Sequence, residues 1–277
     1  MKAAKFDYIR PASVKQALEA LRDHAGQAKL MAGGQSLGPM LNLRLARPAV
    51  VIDISGLEAL RGVTRDGDTV RVGAAVTHAE IEDGVHPALR DSPMRQVAGG
   101  IAYRAVRNRG TLGGSLAHAD PAADWVVVMA ALGAGIELVG PDGVRQVGAD
   151  ALMQGAYTTA IGENEMIQAV RVPVAGARAR WGYYKFCRKT GEFAEASCAA
   201  WFDPASGQAR VALGALDGPP RLLSGLARDV AEDGAAALDP TAIAREVGLA
   251  MPDKDKSQRH LHAAVVERCL RQATGKG

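Results

Sequence analysis

Two stretches of this 277-residue chain carry residue types that can hold an anion: Met31-Ala32-Gly33-Gly34-Gln35-Ser36-Leu37 and Gly110-Thr111-Leu112-Gly113-Gly114-Ser115-Leu116. Each sets a Gly-Gly pair before a small polar residue. Glycine reaches left-handed backbone conformations and lets a ligand lie against the main chain. Consecutive N–H groups in such a turn make an anion-binding concavity, and Ser36 and Ser115 add hydroxyl donors. One such loop reads as a turn. Two in one chain match the two phosphates of a dinucleotide, and the pair is read as a dinucleotide cradle.

Charged residues flank the second stretch. Ile101 to Arg109 carries Arg104, Arg107 and Arg109; it is either a solvated face or a source of positive charge for phosphates. After the loop comes Ala119-Asp120-Pro121-Ala122-Ala123-Asp124-Trp125. Asp120 as N-cap with Pro121 at the first helical position is a helix start. Asp124, one turn further on, would face back towards the loop and accept hydrogen bonds from ribose hydroxyls or loop backbone. His118 has no metal-like partners.

The chain offers no chemistry of its own beyond this. It has no G-x-G-x-x-G followed by an acidic residue, no phosphate loop ending in Lys-Ser/Thr, no G-x-S-x-G elbow and no H-E-x-x-H. Cys187, Cys198 and Cys269 are isolated, without a C-x-x-C, so no metal or iron–sulfur site is expected on this chain. No catalytic acid, base or nucleophile stands out. A cradle without catalytic side chains points to a cofactor that does the chemistry.

The elements that must position these residues are legible in outline. Ser13 and Gln16 form a capping box ahead of Val14, Ala17, Leu18 and Leu21 on one helical face. Lys29 to Ala32 is a short strand entering the first loop. Leu41, Leu43 and Leu45 alternate with Asn42 and Arg44 until Arg47-Pro48 ends the segment. Val50 to Ile54 is a buried strand. Leu60 to Ala75 is a hairpin turning at Asp66-Gly67. Thr77 and Glu80 cap a short helix, and His86-Pro87 opens another towards Gly99-Gly100. Gly135 to Val147 is a second hairpin, and Met166 to Val172 a strand. From Gly176 the texture changes: strands at Trp181–Phe186, Ala196–Phe202 and Ala209–Leu216 precede helical sequence from Asp239. That tail is an α+β domain of its own.

Composition bounds the rest. Hydrophobic residues make up 48% and charged residues 23%, with a net charge of +3, which does not argue for nucleic acid or an anionic membrane. The N-terminus lacks an apolar signal core, and the run Trp125 to Ile136 is too short to span a bilayer. A soluble, cytoplasmic protein is expected.

Three stretches together resemble the FAD-binding medium subunit of the molybdenum hydroxylases, of the carbon monoxide dehydrogenase and xanthine dehydrogenase FAD-subunit type. They are Ala32-Gly33-Gly34-Gln35-Ser36-Leu37, Arg107-Asn108-Arg109-Gly110-Thr111-Leu112-Gly113-Gly114-Ser115 and Ala119-Asp120-Pro121-Ala122-Ala123-Asp124. The stretch Tyr184 to Ala194 is similar to the family's lysine-containing strand near the flavin. The resemblance implies an α+β fold: a two-subdomain FAD-binding domain of the vanillyl-alcohol oxidase type over residues 1–175, with subdomains of about 1–56 and 57–175. A C-terminal domain with a three-stranded antiparallel sheet and helices would fill 176–277. It implies that residues 32 to 36, with Leu37, and Thr111, Leu112, Gly113, Gly114 and Ser115 hold the pyrophosphate. It places Asp124, Ile167 and Lys185 about the flavin, Lys185 as a cation that would raise its potential.

The resemblance also implies partners. A large subunit would hold molybdopterin and hydroxylate the substrate, and a small subunit would carry two [2Fe–2S] clusters, in a heterotrimer or a dimer of heterotrimers. Electrons would reach FAD on this chain and leave to an external acceptor. Two departures stand out: Tyr103 replaces a frequent histidine, and Ser257-Gln258-Arg259 replaces a tyrosine-arginine helix start. A self-contained flavoenzyme of the same fold is the rival reading, but it needs an acid or base beside the ring. A scaffold subunit that has lost FAD is a second rival, which the intact glycine stretches oppose.

Overall fold

Val50, Val51 and Ile52 are apolar without alternation because Val50–Asp53 is the middle strand of a parallel sheet, buried along its whole length. Its neighbours are Asp7–Ile9 and Ala28–Met31, so the order is first, third, second in the chain. In this computed structural model, which describes residues 2–275, the helix Val14–Asp23 packs onto that sheet through Ala17 and Leu21. Ser13 caps it by accepting from the Gln16 N–H at 3.2 Å, while the Gln16 side chain accepts from Ala12, one residue ahead of the cap.

Two compact units make up the chain, and neither is one continuous stretch. The first gathers residues up to 118 with 135–147 and 159–171; the second gathers 119–134, 148–158 and 172 onward. Besides the parallel sheet, the first unit holds most of a five-stranded sheet ordered Val63–Asp66, Thr69–Gly73, Met166–Pro173, Gly135–Gly140, Gly143–Gly148. Both expected hairpins lie in it. Thr77 and Glu80 form the full capping box of the helix His78–Glu82.

Three local expectations change. The alternating leucines make no strand: Leu37–Asn42 is a short helix, Arg44 takes a left-handed φ of 59°, and Leu43 and Leu45 end up exposed. The helix from His86-Pro87 is broken into a turn at Pro87–Leu89 and a helix at Met94–Gly99. Pro93 accounts for the break, since the residue before a proline disfavours helical backbone. The helix after the second glycine stretch starts at Asp124, not at Pro121, because the Pro121 carbonyl accepts from the Ala215 N–H at 3.1 Å.

In the second unit the expected strands pair antiparallel as Arg180–Phe186, Ala196–Asp203 and Gln208–Gly214. The two-residue edge strand Arg221–Leu222 makes the sheet four-stranded rather than three-stranded. Helices Ser224–Asp233, Pro240–Ala250 and Lys256–Ala273 cover one face over Cys198, Ala200, Phe202 and Leu213. Helix Asp124–Leu132 covers the other, close enough that a Cβ on Gly214 would lie 2.7 Å from Val127. Ala196–Asp203 is therefore buried on both faces. No helix among the described residues is long and apolar enough to cross a membrane.

Candidate functional site

The two glycine stretches fold differently. The first is an irregular loop at the carboxyl end of the parallel strand Ala28–Met31, whose ladder closes with the Ile54 N–H on Met31 O at 2.9 Å. Gly34 has φ +71°, the left-handed region that favours glycine. Among the described residues no acceptor takes the backbone N–H of Gly33, Gly34, Gln35, Ser36 or Leu37. Gln35 and Ser36 are exposed, and the Ser36 hydroxyl makes no capping bond.

The second stretch is the start of the helix Leu112–His118, and its donors are already engaged. Leu112 N–H donates to Val76 O at 3.0 Å and Gly113 N–H to Ala74 O at 2.9 Å. Gly114 N–H donates to Thr111 Oγ1 at 3.1 Å and Ser115 N–H to Thr111 O at 3.0 Å. The expected row of open N–H groups thus exists in the first stretch, whereas residues 112–115 of the second have none to spare. Its glycines answer to packing. A Cβ on Gly113 would meet Ala74 Cβ at 2.5 Å, and one on Gly110 would meet the His78 ring at 2.9 Å.

The stretches are pressed together. A Cβ on Gly33 would lie 1.9 Å from the Arg109 carbonyl oxygen, and one on Gly114 would lie 3.8 Å from Ala32 Cβ. Gly33 is therefore glycine because another backbone crosses it. Gly114 and Ser115 are half-buried, and Gly114 lies beside Ala32.

The basic segment before Gly110 is mostly neutralised. Arg104 makes a two-pronged ion pair with Asp83 at 2.6 and 2.7 Å and reaches Glu82 at 2.8 Å; Arg107 pairs with Glu82 and also donates to the carbonyls of Ile101 and Ala102. The guanidinium groups of Arg107 and Arg104 hold the Glu82 carboxyl below its usual range, and Arg104 does the same for Asp83. Arg104 and Arg107 are thus engaged by carboxylates, and Arg109 is the exposed arginine of the segment outside those ion pairs. His78, beneath it, is pushed down to about 4 by burial and by Arg107, so its ring is neutral at pH 7.

Asp53 closes the same sheet end. Tyr8 donates a short hydrogen bond to Asp53 Oδ2, and the Ser55 N–H donates to Oδ1 at 2.9 Å. Burial alone would raise this carboxyl; hydrogen bonding from Tyr8 and Ser55, with the Arg10 charge, outweighs it and holds it low. A lone aspartate ending an apolar strand was its only mark in the sequence. Ile167 is 4% exposed, paired with Leu138, and sits at an irregularity where Gln168 O accepts from the Ala74 N–H.

In the second unit, Asp124 does not stand open as an acceptor. Its Oδ1 accepts from Tyr183 OH at 2.6 Å and from Lys185 Nζ at 2.7 Å. The Asp124 and Lys185 side chains are only 7% and 12% exposed. Tyr183 and Lys185 share a strand face because they are two residues apart. Burial and the Asp124 charge push the Tyr183 phenol well above its ordinary value. Tyr183 carries no motif of its own in the sequence; its alternation with Lys185 is the signal that pairs the two. Asp120 accepts from the Ala122 N–H at 2.9 Å and from Tyr157 OH at 3.3 Å, which makes it a turn residue.

Among the described residues no group of three or more His, Cys, Asp or Glu could hold a metal ion. The unclaimed N–H groups at 33–37 are the donor set an anionic cofactor needs, so the residues present fit a dinucleotide's phosphates.

Comparisons with known proteins identify the family. Residues 4–175 match the model of the FAD binding domain in molybdopterin dehydrogenase. The chain is 40% identical over 195 residues to the carbon monoxide dehydrogenase medium chain of Hydrogenophaga pseudoflava, covering 70% of this chain and 68% of that one. It is 39% identical over 219 residues to the nicotine 6-hydroxylase medium subunit of Paenarthrobacter nicotinovorans, covering 77% and 76%. Among solved structures, a chain of carbon monoxide dehydrogenase from Hydrogenophaga pseudoflava superposes with a TM-score of 0.90 at 32% identity, covering 100% of this chain and 99% of that one. A chain of quinoline 2-oxidoreductase from Pseudomonas putida 86 does so at 0.86 and 31%, with coverage of 100% and 99%. Its FAD-domain match and these relatives place the chain in the family of FAD-binding medium subunits of molybdenum-containing hydroxylases, subunits of oxidoreductase complexes.

Proposed function

We propose that this chain is the electron-transfer subunit of a molybdenum-containing hydroxylase complex, receiving electrons from [2Fe–2S] clusters of a small subunit and passing them through FAD to an external acceptor. The substrate would be oxidised on a large molybdopterin subunit, and the assembly would be a cytoplasmic heterotrimer or a dimer of heterotrimers. The FAD-binding domain is taken as residues 1–175, with subdomains of about 1–56 and 57–175, and the C-terminal domain as 176–277.

The observation that carries the reading is the row of unclaimed N–H groups from Gly33 to Leu37, on a loop fixed by the close crossing of Gly33 and Arg109. FAD, when bound, supplies the redox chemistry that links one-electron carriers to the final acceptor. The protein's part is positional. Ala32, Gly33, Gly34, Gln35, Ser36 and Leu37 hold the pyrophosphate, and Thr111, Leu112, Gly113, Gly114 and Ser115 brace that loop, with Ser115 adding its hydroxyl. Asp124, Ile167 and Lys185 complete the flavin contacts that the resemblance assigns. Because Asp124 lies 2.7 Å from Lys185, the two act on the flavin as a dipole rather than as a lone cation.

The test is anaerobic stopped-flow reduction of the purified complex by its substrate, followed separately at cluster and flavin wavelengths. The expected result is cluster reduction before flavin reduction, with cluster reduction persisting after FAD is stripped. Turnover of substrate by this chain alone would overturn the reading in favour of a self-contained flavin oxidoreductase.

A further inference from the structure

The N-terminal segment and the loop after the first short helix border an open surface crevice of about 510 Å³ lined by Lys2, Ala3, Ala4, Lys5, Phe6 and Arg44. Three of the six residues are cationic and none is acidic. Among the described residues Lys2, Lys5 and Arg44 have no carboxylate within ion-pair distance. The crevice is built rather than incidental. Arg44 Nε donates to Lys2 O at 3.2 Å, tying the loop to the N-terminal segment, and Arg47 Nε donates to Arg44 O at 3.0 Å. Leu45 N–H and Ala46 N–H both donate to Met40 O, holding Arg44 at its left-handed φ of 59°.

Apolar surface adjoins this positive charge. Leu43 is 50% exposed and Leu45 is 72% exposed, on either side of Arg44. A small anion needs cations but gains nothing from bare leucines. Arginine set among exposed apolar side chains is the composition of a protein interface. The adjoining strand Asp7–Ile9 is an edge strand, with Val50–Asp53 as its one neighbour in the sheet.

We propose that this basic and apolar ridge docks an acidic segment of a partner subunit, carboxylates on Lys2, Lys5 and Arg44 and apolar side chains on Leu43 and Leu45. The proposal rests on the reading of the chain as one subunit of a hydroxylase complex. Charge complementarity of this kind acts mainly on the association rate and is screened by salt.

The experiment titrates the FAD-loaded chain with the purified large and small subunits of its own complex, each in turn, at low and high NaCl. The variants are K2E/K5E, R44G and L45S; R44G removes the cation while relieving the left-handed φ. Association with one of the two subunits should weaken about tenfold or more at low salt for K2E/K5E, with a flattened salt dependence. It should weaken at both salt levels for L45S. FAD content and circular dichroism should match the parent throughout. Parent-like assembly of K2E/K5E and R44G overturns the proposal. Parent-like assembly with lost binding of inorganic pyrophosphate also overturns it and makes the crevice a small-anion pocket. Failure of the parent itself to bind FAD or to assemble is read before any variant and overturns the functional reading together with the proposal.

Discussion

Replacing Gly33 by alanine tests the site most directly. A methyl group there would lie 1.9 Å from the Arg109 carbonyl oxygen and 2.5 Å from its carbon. The obstacle is backbone, so no rotamer change makes room, and the two chains must part by roughly 1 Å. Overpacking of this kind costs about 1–3 kcal/mol. If FAD needs the closed geometry, the same free energy reappears in its affinity, a loss of about 5- to 150-fold at 1.4 kcal/mol per tenfold. Gly38, five residues on, is the internal control: nothing lies within 4 Å of its added Cβ, and it sits in the helix Leu37–Asn42. Gly38→Ala should leave FAD binding intact and stabilise the fold by up to about 1 kcal/mol. The assay is FAD titration of the apoprotein by flavin fluorescence, paired with urea unfolding of the same samples. Equal FAD affinity and equal stability for the two variants would refute the argument that the apposed backbones shape the cradle.

Four further outcomes are expected. Gly114→Val should lower FAD content far more than folding stability, since its Cβ would meet the rotatable Thr111 hydroxyl at 2.7 Å; full occupancy would make the second stretch a mere helix start. Lys185→Met should destabilise by about 3 kcal/mol, because it leaves Asp124 buried with only Tyr183, and Lys185→Met/Asp124→Asn should recover most of the loss in a double-mutant cycle. The single variant should also lower the flavin potential more than the double does; equal shifts in a potentiometric titration would contradict the dipole. His78 is held neutral down to about 4 against an ordinary 6.5, so its contribution is fully present above pH 6.5 and is lost as pH falls towards 4, about 3 kcal/mol in all. His78→Leu should flatten that acid limb in urea unfolding, and an unchanged slope would exclude His78 as its origin. Denaturation should release all flavin into the supernatant, as neither glycine stretch holds a histidine or cysteine before His118 to form a covalent link.

The parts that were legible in the sequence were those governed by local rules. The hairpins at Asp66-Gly67 and Asp142-Gly143, the Thr77–Glu80 capping box and the strand Val50–Asp53 follow from turn chemistry, capping and β-branched runs. What escaped was decided by distant partners. Pro121 looks like the first residue of a helix until Ala215 claims its carbonyl. Leu43 and Leu45 look like one face of a strand until the chain turns left-handed at Arg44. Arg104 and Arg107 look like phosphate ligands until Glu82 and Asp83, more than twenty residues earlier, are found to neutralise them. Lys185 looks like a lone cation for the same reason: Asp124 is 61 residues away in the chain.

The glycines show why composition alone misjudges a binding site. In the sequence, all four Gly-Gly positions look like room for a ligand. In the fold, Gly33 makes room for Arg109 and Gly113 for Ala74, and only Gly34, at φ +71°, is glycine for its own backbone angle. This packing role supports the binding role. A loop of irregular backbone with five unclaimed N–H groups would ordinarily sample many conformations, and ordering it on binding would cost about 1–2 kcal/mol per residue. Crossing Gly33 with the Arg109 backbone, and tying that segment down through Gly110 O to the His78 N–H at 2.9 Å, places the ordering cost in folding instead. The N–H row is then presented already oriented, the condition under which few donors give high affinity for an anion.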